Sequence, residues 1–179
     1  MKRKINAADY AEQIIKAIPK GALVTAKVGD KVNPMTIGWG TYGTEWGRSI
    51  FVAYVRVGRY TRELLDANPE FTINIPLGEV DRDIIMVCGR ESGRDIDKVE
   101  KLGLTLEESE VISVPGIKEM PLTLECKVVF RQKQEVELID KKFEIYYPQS
   151  MGENGNPEEA FLEPHIAYYG EIVNAYIVE

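Results

Sequence analysis

The segment PLTLECKVVFRQKQEVEL, from Pro121 to Leu138, does most to limit what this chain can become. Leu122, Leu124, Cys126, Val128 and Phe130 fall on one face of an extended backbone, with Thr123, Glu125, Lys127 and Arg131 on the other. A period of two over this length predicts a β-strand with one buried face, and such a strand needs sheet partners. Candidates are plentiful. GALVTAKV (21–28), PMTIGWGTYG (34–43, broken by glycines), SIFVAYV (49–55) and FTINIP (71–76, stopped by Pro76) all read as strands. HIAYYGEIVNAYIVE (165–179) reads as a long final strand in which Gly170 marks a bulge.

Helices are fewer and shorter. Residues 7–18 place Ala8, Ala11, Ile14, Ile15 and Ile18 at helical spacing, with Asn6 as the N-cap and Pro19-Lys20-Gly21 as the stop. RELLDANPE (62–70) and DIDKVEKLG (95–103) predict two short helices, the second ended by Gly103. No strand-helix-strand rhythm repeats. The pattern therefore predicts a mainly β fold, an antiparallel barrel with a few short flanking helices, rather than a doubly wound parallel sheet. A length of 179 residues without an internal repeat or boundary predicts one domain over 1–179, with an N-terminal helix in 1–20 and the barrel in 21–179.

Charge and cysteine content narrow the function classes. The formal net charge of −7 disfavours nucleic acid as a general partner, so any phosphate site must be a local pocket working against the overall field. Cys88, Cys126 and the single His165 make no zinc spacing, and the cysteines read as buried reduced thiols. No apolar run has the length of a signal peptide or a membrane span, which predicts a cytoplasmic chain with no membrane partner. There is no Gly-x-Ser-x-Gly elbow, Walker A loop or Rossmann fingerprint, and no catalytic side chain is assigned.

Three stretches could still carry chemistry. In VRVGRYT (55–61) a strand ends in Arg56, Gly58 and Arg59 and turns into a helix at Thr61. Amide groups at a helix start, the positive end of its dipole, a hydroxyl and an arginine together suit a phosphate. In GRESGRDIDK (89–98), Ser92-Gly93-Arg94-Asp95 opens a second helix, with Lys98 one turn inside it. The plainer reading makes Arg59, Arg62, Arg90 and Arg94 solvated charges and Ser92 or Asp95 a helix cap. In NPMTIGWGTYG (33–43), Trp39 between Gly38 and Gly40 either lets a flat ligand approach the backbone or packs in the core beside two bulges.

NPMTIGWGTYG, FVAYVRVGRYTRELL followed by FTINIP, CGRESGRDIDKVEKLGL, PLTLECKVV and HIAYYGEIVNAYI occur in that order. Together they resemble the flavin reductase-like, FMN-binding split-barrel family in its flavoredoxin-type branch, from about Gly21 to the C-terminus. The resemblance implies a Greek-key barrel that forms a homodimer with FMN at the subunit interface. Asn33, Thr36, Gly38 and Trp39 would line the isoalloxazine side, and Arg56, Tyr60 and Thr61 the ribityl chain and phosphate. Ser92, Arg94 and Lys98 would complete the pocket, Lys98 touching the phosphate or the ring edge, with His165 and Tyr168 closing it.

The implied activity is flavin reduction by NADH or NADPH, with hydride passing to flavin N5. The alternatives are a flavoredoxin-like electron carrier reduced by a redox protein partner, or a flavin-binding module without turnover. The polar loop QSMGENGNPEEAFLEP (149–164) departs from the pattern; overhanging the flavin, it would restrict access.

Overall fold

The computed structural model describes residues 1–150 and 161–179. Its strands are β1 (Lys2–Lys4), β2 (Ala22–Val28), β3 (Lys31–Ile37), β4 (Gly40–Glu45), β5 (Arg48–Arg56) and β6 (Glu70–Ile75), followed by β7 (Leu106–Glu107), β8 (Gly116–Ile117), β9 (Leu122–Lys133), β10 (Gln149–Ser150), β11 (Phe161–Leu162) and β12 (His165–Val178). The α-helices are α1 (Ala11–Ala17), α2 (Tyr60–Ala67), α3 (Arg82–Arg90) and α4 (Lys98–Leu102).

One antiparallel sheet runs β3-β2-β6-β9-β12-β5-β4, with β1 added beside β12. Its inner face is a single core. Val24, Met35, Phe51, Val55, Phe71, Ile73, Leu124, Cys126 and Tyr168 meet there, with Ile14 of α1 and Leu65 of α2 packed on the same cluster. Strands from both halves of the sheet share this cluster, so the sheet curls around it as a barrel. The two edge strands, β3 and β4, are joined through Gly38 and Trp39. The barrel is therefore split where these two residues cross from one edge to the other.

Outside the barrel, Leu23 packs with Ile84 and Cys88 of α3, Leu104, Ile117 and Met120, so α3, α4 and the β7–β8 ribbon form a second layer. The opposite outer face carries Ile50, Val52 and Ala167, with Tyr54 and Tyr169 beside them.

The long strand departs from simple alternation. Phe130 pairs with Tyr169 and Val128 with Gly170, leaving Val129 as an extra residue. This bulge turns Phe130 away from the face shared by Leu122 to Val128 and onto the outer face, where its ring lies 5.1 Å from Tyr169. A second shift leaves Val173 unpaired in β12. Gly170 does mark an irregularity, but the extra residue sits in the partner strand. A Cβ on Gly170 would lie 2.4 Å from Phe71 Cζ, so the barrel wall closes onto Phe71 only with glycine there.

The helices also differ in detail. Asn6 caps as expected, but residues 7–20 form a 3-10 turn, the short α1 and another 3-10 turn instead of one helix. Ser92–Asp95 does not open a helix: Ser92 O and Oγ accept from the amides of Asp95 and Arg94 in a turn, and α4 starts later, capped by Asp97. Gly103 ends α4 in the left-handed conformation, as its position predicted.

Candidate functional site

Two cavities meet beside the split of the barrel. The larger holds about 430 Å³ and is lined by Met35, Thr36, Ile37, Gly38, Trp39, Tyr54, Arg56, Arg59, Ile145, Tyr146, Pro148 and His165. The smaller holds about 90 Å³ and is lined by Asn33, Met35, Gly58, Arg59, Tyr60, Thr61, Glu91, Ser92, Gly93, Arg94 and Lys98. Met35 and Arg59 line both, so the two cavities adjoin at these side chains. Beyond Trp39 lies a third, more apolar space of about 540 Å³ against Ile15, Ile18 and Pro19, and Trp39 is the wall it shares with the larger chamber.

Each wall has a local cause. β3 is an edge strand, and its register with β2 sends Asn33 into the smaller cavity. There Asn33 is 2% exposed. Its Nδ2 donates to Thr61 Oγ1 at 2.9 Å, while its Oδ1 is buried with no hydrogen-bond partner among the described residues. Thr36, on the same edge, donates to Ile85 O at 2.8 Å and ties α3 to β3. Lys98 is buried beneath the cavity, its Nζ donating to Pro34 O and Cys88 O at 3.1 Å each. Its ammonium thus joins β3, α3 and α4, and burial pulls its pKa below the ordinary lysine value.

The arginines are not equivalent. Arg56 Nη1 lies 3.5 Å from Glu163 Oε2, and Gly58 N donates to Glu163 Oε1 at 2.7 Å, so this turn already holds one carboxylate. Arg94 is paired with Glu63. The Arg59 guanidinium forms no ion pair or side-chain hydrogen bond among the described residues; burial, then the charge of Arg56, lowers its pKa. His165, opposite Arg56 in the β5–β12 register, stacks 4.7 Å from Trp39 with Tyr147 edge-on at 5.4 Å. Burial, followed by the charges of Arg56 and Arg59, brings its pKa down to about 4, so the ring is neutral at physiological pH. Its Nδ1 is buried without a partner among the described residues.

The flavin reductase like domain, taken as a sequence family, matches residues 18–179. The chain belongs to the flavin reductase-like family. An uncharacterized protein of Archaeoglobus fulgidus is 36% identical over 100 residues, a match covering 56% of this chain and 55% of that protein's length. Among solved structures, the flavoredoxin of Methanosarcina acetivorans is 25% identical and superimposes with a TM-score of 0.62 over 89% of this chain and 68% of that one. An FMN-binding domain of a flavin reductases-like enzyme from Shewanella baltica shares the fold at 15% identity, with a TM-score of 0.67 over 99% and 77% of the two chains.

In this flavin reductase-like chain the expected site residues fall into two groups. Thr36, Gly38, Trp39, Arg56 and His165 line the larger chamber, and Asn33, Tyr60, Thr61, Ser92, Arg94 and Lys98 the smaller cavity. Tyr168 belongs to neither. Its side chain lies in the barrel core and its hydroxyl donates to Asp66 Oδ1 at 2.9 Å, so it does not close the pocket. Tyr54, Met35 and the Ile145–Pro148 wall were missed, and Arg59 stood in the anion-binding stretch without being assigned to the site. Two of these left a signal: Tyr54 lies two residues before Arg56 on one strand, and Arg59 is the residue at the start of α2. Of the polar 149–164 loop, residues 151–160 lie outside the described part; Ile145, Tyr146 and Pro148, just before it, line the larger chamber. No helix among the described residues is long and apolar enough to cross a membrane.

Proposed function

We propose that this chain is an FMN-binding oxidoreductase reduced by NADH or NADPH, with the FMN phosphate in the smaller cavity and the ring system in the larger. The observation that carries this reading is a pair of unpartnered buried atoms, Asn33 Oδ1 and His165 Nδ1, one in each cavity. Each of these atoms is costly unless a ligand completes it. Asn33 Oδ1 is packed against Gly93 in the turn that walls the smaller cavity. Around it stand Arg59, without an ion pair among the described residues, buried Lys98, the Thr61 hydroxyl and the first amides of α2. Together they suit a doubly charged terminal phosphate.

Bound flavin supplies the hydride-accepting and electron-passing chemistry. The chain's own part is placement and exclusion of water. Trp39, Tyr54, Tyr146 and Met35 provide apolar walls. His165, held neutral, offers a hydrogen-bonding nitrogen without adding a third positive charge beside Arg56 and Arg59. No side chain is required as a general base.

The outer face supports a homodimer as part of the proposal. Trp46 (59% exposed), Phe130 and Tyr169 form an aromatic cluster there, and Tyr54 connects that face to the larger chamber. Trp46 reaches it from a backbone conformation with φ 51° at the β4–β5 turn, which bulky residues rarely adopt.

A second reading, a flavoredoxin-like carrier reduced by a protein partner, is favoured by the Ile145–Pro148 wall that narrows access to the larger chamber. An anaerobic absorbance titration separates the two. Flavin bleaching within seconds of adding NADH or NADPH supports the reductase; a perturbed spectrum that stays oxidised supports the carrier. An FMN spectrum unchanged by the protein refutes both.

A further inference from the structure

The turn that ends β5 already holds an anion of the chain's own. Glu163, just before β12, places its carboxylate there: Gly58 N donates to Oε1 at 2.7 Å, and Arg56 Nη1 lies 3.5 Å from Oε2. The fit is close. A Cβ on Gly58 would overlap Glu163 Oε1, so the turn accepts this carboxylate only with glycine at that position. The backbone on either side fixes the same geometry, since Val57 N donates to Pro164 O at 3.1 Å and Glu163 N donates to Pro148 O at 2.9 Å. The Glu163 side chain is 14% exposed against 28% for Arg56, whose side chain also lines the larger chamber. A ligand entering that chamber therefore meets an arginine that is already paired.

We infer that Glu163 is a specificity-determining residue: its carboxylate occupies the anion socket of the Arg56–Gly58 turn and keeps the phosphates of an approaching dinucleotide off Arg56. A backbone amide and a guanidinium converging on the two oxygens of one group suit a phosphate as well as a carboxylate. Filled from within, the socket offers an incoming phosphate a paired arginine and a carboxylate of its own sign. Such a repulsive element discriminates between ligands as an attractive contact does. Its field also reaches the next arginine, since the charge of Glu163 opposes that of Arg56 at Arg59. The choice of a dinucleotide as the excluded ligand rests on the flavin reading proposed above; the filled socket does not.

The test is equilibrium dialysis of the full-length protein against inorganic phosphate and against NAD⁺, for the wild type, Glu163→Gln, Glu163→Ala, and Glu163→Ala combined with Arg56→Gln. Gln keeps an acceptor oxygen for Gly58 N but removes the charge, and Ala empties the socket. Both single variants are expected to bind phosphate and NAD⁺ about threefold to tenfold more tightly than the wild type. Adding Arg56→Gln should return both ligands to within about twofold of the wild type. A residue that only props the turn predicts the opposite sign, because losing a prop weakens binding. Where circular dichroism shows Glu163→Ala unfolded, Glu163→Gln decides. Affinities unchanged or weakened in Glu163→Gln, a gain that survives Arg56→Gln, or a gain for phosphate without one for NAD⁺ overturns the inference. A protein that shows both gains yet binds no FMN refutes the flavin reading and leaves the filled socket standing.

Discussion

Replacing His165 with Phe should remove a specific share of the protein's sensitivity to acid. The native ring is 8% exposed, stacked on Trp39 and faced by Arg56 and Arg59, and its pKa falls from 6.5 to about 4. Because the folded value is depressed, the unfolded chain takes up the proton first as pH falls. The contribution to stability is therefore complete above pH 6.5 and lost progressively as pH drops from 6.5 towards 4. The whole gap of about 2.5 pH units, at about 1.4 kcal/mol per unit, sets a ceiling of about 3.5 kcal/mol. By pH 5, about 2 kcal/mol of that should be gone.

Phe keeps the aromatic stack and cannot titrate. Urea denaturation of both proteins at pH 8 and pH 5 isolates the effect, because carboxylates common to both cancel in the difference. The wild type should lose about 2 kcal/mol more than His165→Phe between the two conditions. Parallel losses, within about 0.5 kcal/mol, would refute the burial-and-arginine account of this histidine.

Thr61→Val keeps the shape of a side chain that is 1% exposed but strips the partner from Asn33 Nδ2. It should cost about 1–2 kcal/mol of stability and weaken FMN more than riboflavin; equal loss for both ligands refutes the phosphate assignment. Gly170→Ala pushes a methyl to 2.4 Å from Phe71 Cζ. A loss of about 2–3 kcal/mol in urea denaturation is expected, and a neutral result would mean the barrel wall yields there. Both cysteines are fully buried, and burial pushes the Cys88 thiol up to about 11. Neither should react with a thiol reagent at pH 8 until the chain unfolds; rapid labelling of the native protein refutes this. Trp46→Ser should shift sedimentation from dimer to monomer, whereas an unchanged sedimentation coefficient removes the outer aromatic face as the contact.

What the residues announce in advance is whatever depends on local period. The alternation from Leu122 to Val128 is met in β9 because each step of two returns to the same core cluster. It fails at Phe130 because a bulge is set by the partner strand β12, where Gly170 closes onto Phe71 of β6. The site follows the same division. Thr61 is legible because a strand passing directly into a helix fixes where the first amides point. Lys98 is visible as a residue near the cavity, but only tertiary packing directs its ammonium to the carbonyls of Pro34 and Cys88. Glu163, which fills the Arg56–Gly58 turn from 105 positions away in the chain, leaves no local pattern at all. Tyr168 illustrates the reverse: proximity in sequence to His165 suggests a shared role, yet strand alternation sends its side chain to the other side of the sheet.

The two tryptophans stand in different places for different reasons, and that gives the molecule a built-in pair of optical gauges. Trp39 forms the partition between two hollow spaces and touches the lone histidine, so its emission responds to whatever enters the barrel's opening. Trp46 sits at a hairpin tip among Phe130 and Tyr169, far enough along the sheet that its surroundings change only when that outer face is covered. With no third indole to confuse them, single Trp→Phe exchanges would assign one signal to the proposed ligand and the other to the proposed self-association. The two proposed events would then be followed separately in one unlabelled sample.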